Sequence, residues 1–217
     1  MSIAVKICGL NSPDAVDAAA SADFAGFVFF ARSPRHVTPE TAGLLAARLP
    51  AQVRRVAVTV DADDETLDAI VAGLRPSLIQ LHGRETPARA AAIRQRLGVG
   101  VIKVLALAAP ADLDAAEAFT TAADWLMFDA KPPPRPDALP GGNAISFDWR
   151  ILAGRRFALP WLLSGGLDPG NVAAAIATSG AVAVDVSSGV ESTPGRKDPA
   201  RIAAFLAAAR GAAARPA

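Results

Sequence analysis

A chain of 217 residues, 52% hydrophobic and 20% charged, is long enough for one large core and too apolar for disorder. Its formal charge of +1 argues against a nucleic-acid partner, and its alanine-rich stretches are broken by charges well short of a membrane span. A lone cysteine cannot close an intrachain disulfide and no long apolar segment follows Lys6, so a cytoplasmic protein without a signal peptide is expected.

Ile3-Ala4-Val5-Lys6-Ile7-Cys8 reads as a first strand, whose alternation puts Lys6 and Cys8 on one face. Ser12-Pro13-Asp14 starts a helix to about residue 22. The near-continuous apolar run 24–30 predicts a second strand covered on both faces. A loop from Ala31 to Val37 leads to Thr38-Pro39-Glu40, a helix start with proline at the first helical position. Strand and helix patterns then alternate: strand 55–60 with helix 63–74, strand 78–83 with helix 86–97, and strand 101–107 with helix 111–120. Strand 124–129 opens into a Pro- and Gly-rich segment, 131–143, closed by a brief helical piece at 147–152. Strand 161–166 with helix 168–178 and strand 182–187 with helix 198–210 complete the series, and the tail from Gly211 is expected to fray.

Eight strand–helix units in one domain spanning 1–217 predict an α/β fold, a closed parallel (β/α)8 TIM barrel. An open doubly wound sheet would normally carry a Gly-rich fingerprint after its first strand, and Cys8-Gly9-Leu10 is not one. No linker divides the chain, and the Pro-rich segment is better read as an active-site loop.

In such barrels the reacting groups stand at the C-terminal strand ends. There this chain places Cys8, Arg32 and Arg35, Gln80 and His82, Asp129, Ser164-Gly165-Gly166 and Ser187-Ser188-Gly189. The last two loops match the position of the usual phosphate site, where glycines let backbone N–H groups approach an anion. If the barrel closes, Lys6 and Asp185 on neighbouring strands form an interior ion pair, and the ammonium favours a Cys8 thiolate. Cys8 could equally be a small buried hydrophobe. Asp129 follows four apolar residues; against apolar walls it could hold a proton as a general acid, or it could cap a turn. Arg35 is placed to grip a carboxylate bidentately, or to be a solvated loop residue. His82 reads first as a satisfied structural group. No spacing for metal ligands and no Walker-type loop is present.

Taken together, Lys6-Ile7-Cys8-Gly9-Leu10, Ser33-Pro34-Arg35-His36-Val37, Gln80-Leu81-His82-Gly83, Phe128-Asp129, Phe147-Asp148-Trp149, Ser164-Gly165-Gly166-Leu167, the run from Val184 to Glu191 and Pro194-Gly195-Arg196-Lys197-Asp198 resemble, in order, the phosphoribosylanthranilate isomerase family of tryptophan biosynthesis. The resemblance covers nearly the whole chain. It implies an Amadori rearrangement of N-(5-phosphoribosyl)anthranilate, without cofactor or metal, by a monomer or weak homodimer. By position, Asp129 would protonate the ribose ring oxygen and Cys8 would take the proton from C2. Arg35 would orient the anthranilate carboxylate, with Gln80, His82, Ser164, Asp185 and Ser187 also facing substrate. Gly165, Gly166, Ser188 and Gly189 would hold the phosphate. One departure is visible: the family's Gly-Gly-Thr-Gly reads here Gly141-Gly142-Asn143-Ala144, and alanine takes φ > 0 less cheaply than glycine.

Other phosphate-binding barrels fit less well. A sugar-phosphate epimerase would be expected to show metal-ligand histidines, and an indole-forming synthase a lysine at a strand exit, whereas Lys103 lies inside the fifth strand. A non-catalytic barrel binding a phosphorylated ligand is the alternative from another class.

Overall fold

The computed structural model describes residues 3–133, 139–143 and 145–212. Eight parallel strands close on themselves in chain order: β1 Ala4–Cys8, β2 Phe24–Phe29, β3 Arg54–Thr59, β4 Leu78–Leu81, β5 Gly100–Leu107, β6 Trp125–Ala130, β7 Trp161–Leu163 and β8 Ala183–Val186. Each is a short apolar run buried inside and out, because the barrel interior covers one face and the helices the other. The helices are α1 Pro13–Ala18, α2 Pro39–Ala46, α3 Asp64–Leu74, α4 Pro87–Leu97, α5 Val172–Ser179 and α6 Pro199–Ala212. Ser12, Thr38, Asp63 and Thr86 cap the first four by accepting a backbone N–H, and proline follows the cap in three of them.

Closure joins β1 to β8 with Lys6 opposite Asp185. The interior is layered. Phe24, Val56, Leu78, Ile102, Met127 and Leu162 belong to an apolar floor. Above it come the buried polar side chains Lys6 on β1, Gln80 on β4 and Asp185 on β8, and Cys8, Val28 and Val58 cluster toward the mouth.

The expected elements appear with corrections: the first helix, expected to about residue 22, ends at Ala18, and the strand expected at 78–83 ends at Leu81. The fifth and sixth crossovers are 3-10 helices, Pro110–Phe119 and Trp149–Leu152, rather than α-helical pieces. The strand expected at 161–166 stops at Leu163, since Gly165 (φ +89°) and Gly166 (φ +65°) turn the chain out of the ladder. Beyond β8 lies an unexpected hairpin of β9 Glu191–Thr193 and β10 Arg196–Lys197. Its Pro194-Gly195 turn, with φ +83° at Gly195, was the legible signal. The hairpin tip folds over loops one and two: the Asn11 amide donates to the Gly195 carbonyl, and a Cβ on Gly195 would stand 2.6 Å from the Pro34 carbonyl oxygen. The helix expected to fray from Gly211 continues to Ala212; the remaining tail lies outside the described residues.

Candidate active site

A cavity opens at the C-terminal ends of the strands, lined by Cys8, Arg35, Gln80, His82, Asp129 and the turns after β6, β7 and β8. The strand periodicity brings Cys8 to its wall through the Lys6–Cys8 alternation. Gly26 on β2 makes the room: a Cβ there would stand 3.1 Å from Lys6 Nζ and 3.2 Å from Cys8 Sγ.

The interior ion pair expected between strands one and eight is present. Lys6 Nζ donates to Asp185 Oδ1 at 2.8 Å, with both side chains buried, and Asp185 Oδ2 accepts from the Ser164 hydroxyl at 3.2 Å. Burial pulls the Lys6 pKa down, but Asp185 and Cys8 outweigh it and leave the ammonium more firmly protonated than usual. Its expected effect on Cys8 is present but outweighed. Burial pushes the thiol up, Lys6 lowers it, Asp185 raises it again, and the net shift is upward. Burial is the largest of these, so the lysine lowers the thiol pKa without bringing it below its ordinary value.

Asp129 is the penultimate residue of β6, its carboxylate held by the following N–H: Ala130 N donates to Oδ1 at 2.8 Å. His82 Nε2 lies 3.3 Å from Asp129 Oδ2 without hydrogen-bond alignment and has no other partner among the described residues. The Gln80 amide and His82 Nδ1 are 3.0 Å apart. Gln80 itself lies inside β4 rather than at its exit. Gly141 is laid directly on this group, since a Cβ there would stand 2.7 Å from His82 Nε2 and 2.9 Å from Asp129 Oδ2. The following Gly142 (φ +73°) lies against Arg35 Nη1. The Gly-Gly pair is therefore what lets the loop after β6 touch three polar side chains; Ala144 and Pro134 of that loop lie outside the described residues.

Arg35 is not the solvated loop arginine of one sequence reading. It is buried, and the edge expected to grip a ligand carboxylate is already taken: Nε donates to Glu191 Oε1 at 2.7 Å and Nη2 to Glu191 Oε2 at 2.9 Å. Nη2 also donates to the Gly142 carbonyl at 3.4 Å, which leaves Nη1 for a ligand. Glu191 and Lys197, quoted within motifs but given no role by the sequence reading, meet Arg35 here. Lys197 Nζ donates to Glu191 Oε1 at 2.7 Å.

The turns after β7 and β8 form the other end of the cavity. Among the described residues, the N–H groups of Gly165, Gly166 and Ser188 donate to no protein acceptor. This suits an anion. Ser187 and Ser188 line the cavity. Gly189 does not; it lies behind, where a Cβ would strike the Leu167 carbonyl and force the two turns apart. Ser164 also lines the cavity, and its hydroxyl donates to Asp185 Oδ2. Lys103 is buried outside the barrel wall, donating to Glu85 Oε2 and the Gly83 carbonyl, both at 2.8 Å. Among the described residues no three His, Cys, Asp or Glu side chains converge as metal ligands would.

Residues 5–208 match the sequence profile of N-(5'-phosphoribosyl)anthranilate isomerase. The chain belongs to this isomerase family. A relative from Paramagnetospirillum magneticum bearing that name is 55% identical over 213 residues, covering 97% of this chain and 99% of its own. One from Rhodospirillum centenum is 54% identical, covering 96% and 99%. Among solved structures, phosphoribosylanthranilate isomerase from Thermotoga maritima superposes with a TM-score of 0.85 at 33% identity, covering 96% of this chain and 99% of that one. A phosphoribosylanthranilate isomerase in complex with reduced 1-(o-carboxyphenylamino)-1-deoxyribulose 5-phosphate gives 0.82 at 32% identity, with the same coverage. The barrel of this isomerase family thus accounts for the fold. Among the described residues no helix is long and apolar enough to cross a membrane.

Proposed function

We propose that this chain converts N-(5-phosphoribosyl)anthranilate into 1-(2-carboxyphenylamino)-1-deoxyribulose 5-phosphate in tryptophan biosynthesis, with Asp129 as general acid and Cys8 as general base. The observation carrying this reading is that Cys8 and Asp129 line one cavity together with Arg35 and a pair of anion-ready turns. A substrate with a carboxylate at one end and a phosphate at the other matches that polarity. A family neighbour that holds the reduced product adds support.

Asp129 in its acid form gives its proton to the furanose ring oxygen as the C1–O bond breaks, and the nitrogen lone pair closes an iminium. Cys8, as thiolate, then removes the proton from C2, and the C2–H electrons neutralise the iminium to give an enolamine. Tautomerisation yields the ketone, so the reaction balances as an isomerisation and needs no cofactor. Acid and base must coexist at one pH in opposite protonation states, which requires unlike surroundings. The carboxyl sits with His82 on one wall and the thiol with Lys6 and Asp185 on the other. Arg35 orients the anthranilate carboxylate through its Nη1 side, and Gly165, Gly166 and Ser188 hold the phosphate by backbone N–H. Gln80 and His82 line the wall beside the ring. A cytoplasmic monomer or weak homodimer completes the proposal, which sedimentation equilibrium tests.

The decisive experiment follows the fluorescence of phosphoribosylanthranilate on mixing with wild type, Cys8→Ala and Asp129→Asn. Loss of signal with wild type, nearly abolished in both variants while a phosphorylated product analogue still binds, is expected. If wild type binds the analogue and leaves the signal unchanged, the isomerase reading fails and a ligand-binding barrel takes its place.

A further inference from the structure

The motif Pro194–Asp198 and the glutamate before it take no part in the chemistry above, yet they build a buried charge cluster beside Cys8. Lys197 Nζ, fully buried, donates to Glu191 Oε1 at 2.7 Å, the Ser187 carbonyl at 2.8 Å and the Ser187 hydroxyl at 3.2 Å. Three acceptors for three N–H bonds describe an ammonium, not an amine. Glu191 is shared, since it also takes both Nε and Nη2 of Arg35. The cluster abuts the residue after Cys8: a Cβ on Gly9 would stand 3.2 Å from Ser187 Oγ and 2.7 Å from Arg35 Cδ.

The charges around Cys8 can be counted by element. Lys6 on β1 is cancelled by Asp185 on β8. Arg35 from the loop after β2 and Lys197 on β10 share the single carboxylate of Glu191 on β9. Asp129 and His82 face one another on the far wall. Three buried cations against two carboxylates on the Cys8 side leave one positive charge, and a thiolate brings that side to neutrality.

We propose that Lys197 is the counter-charge of the Cys8 thiolate, and that Glu191 sets how much of that charge the thiol feels by binding Lys197 and Arg35 together. Lys197 is then a positioning residue that acts through Cys8. Burial lowers the Lys197 pKa and Arg35 opposes the ammonium, Glu191 and Cys8 support it, and the net shift is downward. The case for the ammonium therefore stands on its three acceptors. The inference rests on the proposed role of Cys8 as base but is tested on the thiol itself.

Cys8 is the only cysteine in the sequence, so its alkylation by iodoacetamide reports this thiol alone. The rate is measured against pH on the full chain without ligand, for wild type, Lys197→Gln, Lys197→Arg and Glu191→Gln. Only the thiolate reacts, so the midpoint of the profile reads its pKa. Lys197→Gln removes a cation and is expected to raise the midpoint by about one unit, slowing alkylation about tenfold below it. Glu191→Gln removes a carboxylate and is expected to lower it, and Lys197→Arg to restore the wild-type value. The low-pH limb of kcat/KM, which reports the free enzyme, moves with each midpoint. A merely structural cluster would shift both glutamine variants in one direction or neither. Either result overturns the proposal, and Glu191→Gln alone decides the sign should Lys197→Gln fail to fold. Midpoints that move as expected in a protein without isomerase activity would uphold the charge device and remove the catalytic reading.

Discussion

Replacing Lys6 by methionine removes the cation from the interior pair and leaves Asp185 with only the Ser164 hydroxyl. At the observed 2.8 Å separation the gross attraction is about 6 kcal/mol for an effective dielectric near 20, most of it offset by the desolvation of two buried ions. Stranding one partner of such a pair costs about 3–5 kcal/mol, because the remaining charge has lost its solvent and gained nothing. For a chain of this size each kcal/mol lowers Tm by about 2–4 °C, so Lys6→Met should melt roughly 6–20 °C below wild type. Circular dichroism on heating and in urea checks this. The double variant Lys6→Met, Asp185→Leu should recover most of the loss, since no charge remains buried and the cost falls to about 1 kcal/mol for the orphaned Ser164 hydroxyl. The reasoning is refuted if Lys6→Met costs less than about 1 kcal/mol, or if the double variant loses the sum of the two single losses.

Gly141→Ala puts a methyl group where His82 and Asp129 already stand, so the loop after β6 must lift. A displacement of that kind near the reacting groups should lower kcat/KM about a hundredfold with little change in Tm, and steady-state kinetics that match wild type would contradict the contact. The acid limb of stability should carry the mark of Glu191. Burial raises its pKa, but Arg35 and Lys197 prevail and hold it below its ordinary 4.5. A depressed carboxyl contributes stability above its unfolded value and loses it as pH falls through the folded one. Urea midpoints should therefore fall more steeply below pH 4.5 in wild type than in Glu191→Gln; parallel curves would deny the pairing.

Local patterns determined most of the barrel. Strand and helix runs follow from apolar periodicity and from caps such as Ser12-Pro13 and Thr38-Pro39, which act within a few residues. Period-two alternation placed Lys6 and Cys8 on one face, and closure of eight strands then required Lys6 to meet Asp185. The rim residues were legible for the same reason: Asp129 interrupts an apolar run at the strand end that faces the mouth. Only the tertiary structure decided what those residues do to one another. Arg35 and Glu191 are 156 positions apart, and nothing in either neighbourhood announces that the guanidinium edge is occupied. The sign of the Cys8 shift was likewise hidden, because it is a balance of burial and Asp185 against Lys6 and Lys197. Side-chain direction is set by the backbone a residue sits on. Charge balance is set by everything that folds against it, and here a two-stranded hairpin over the mouth supplied the groups that the strand pattern could not foretell.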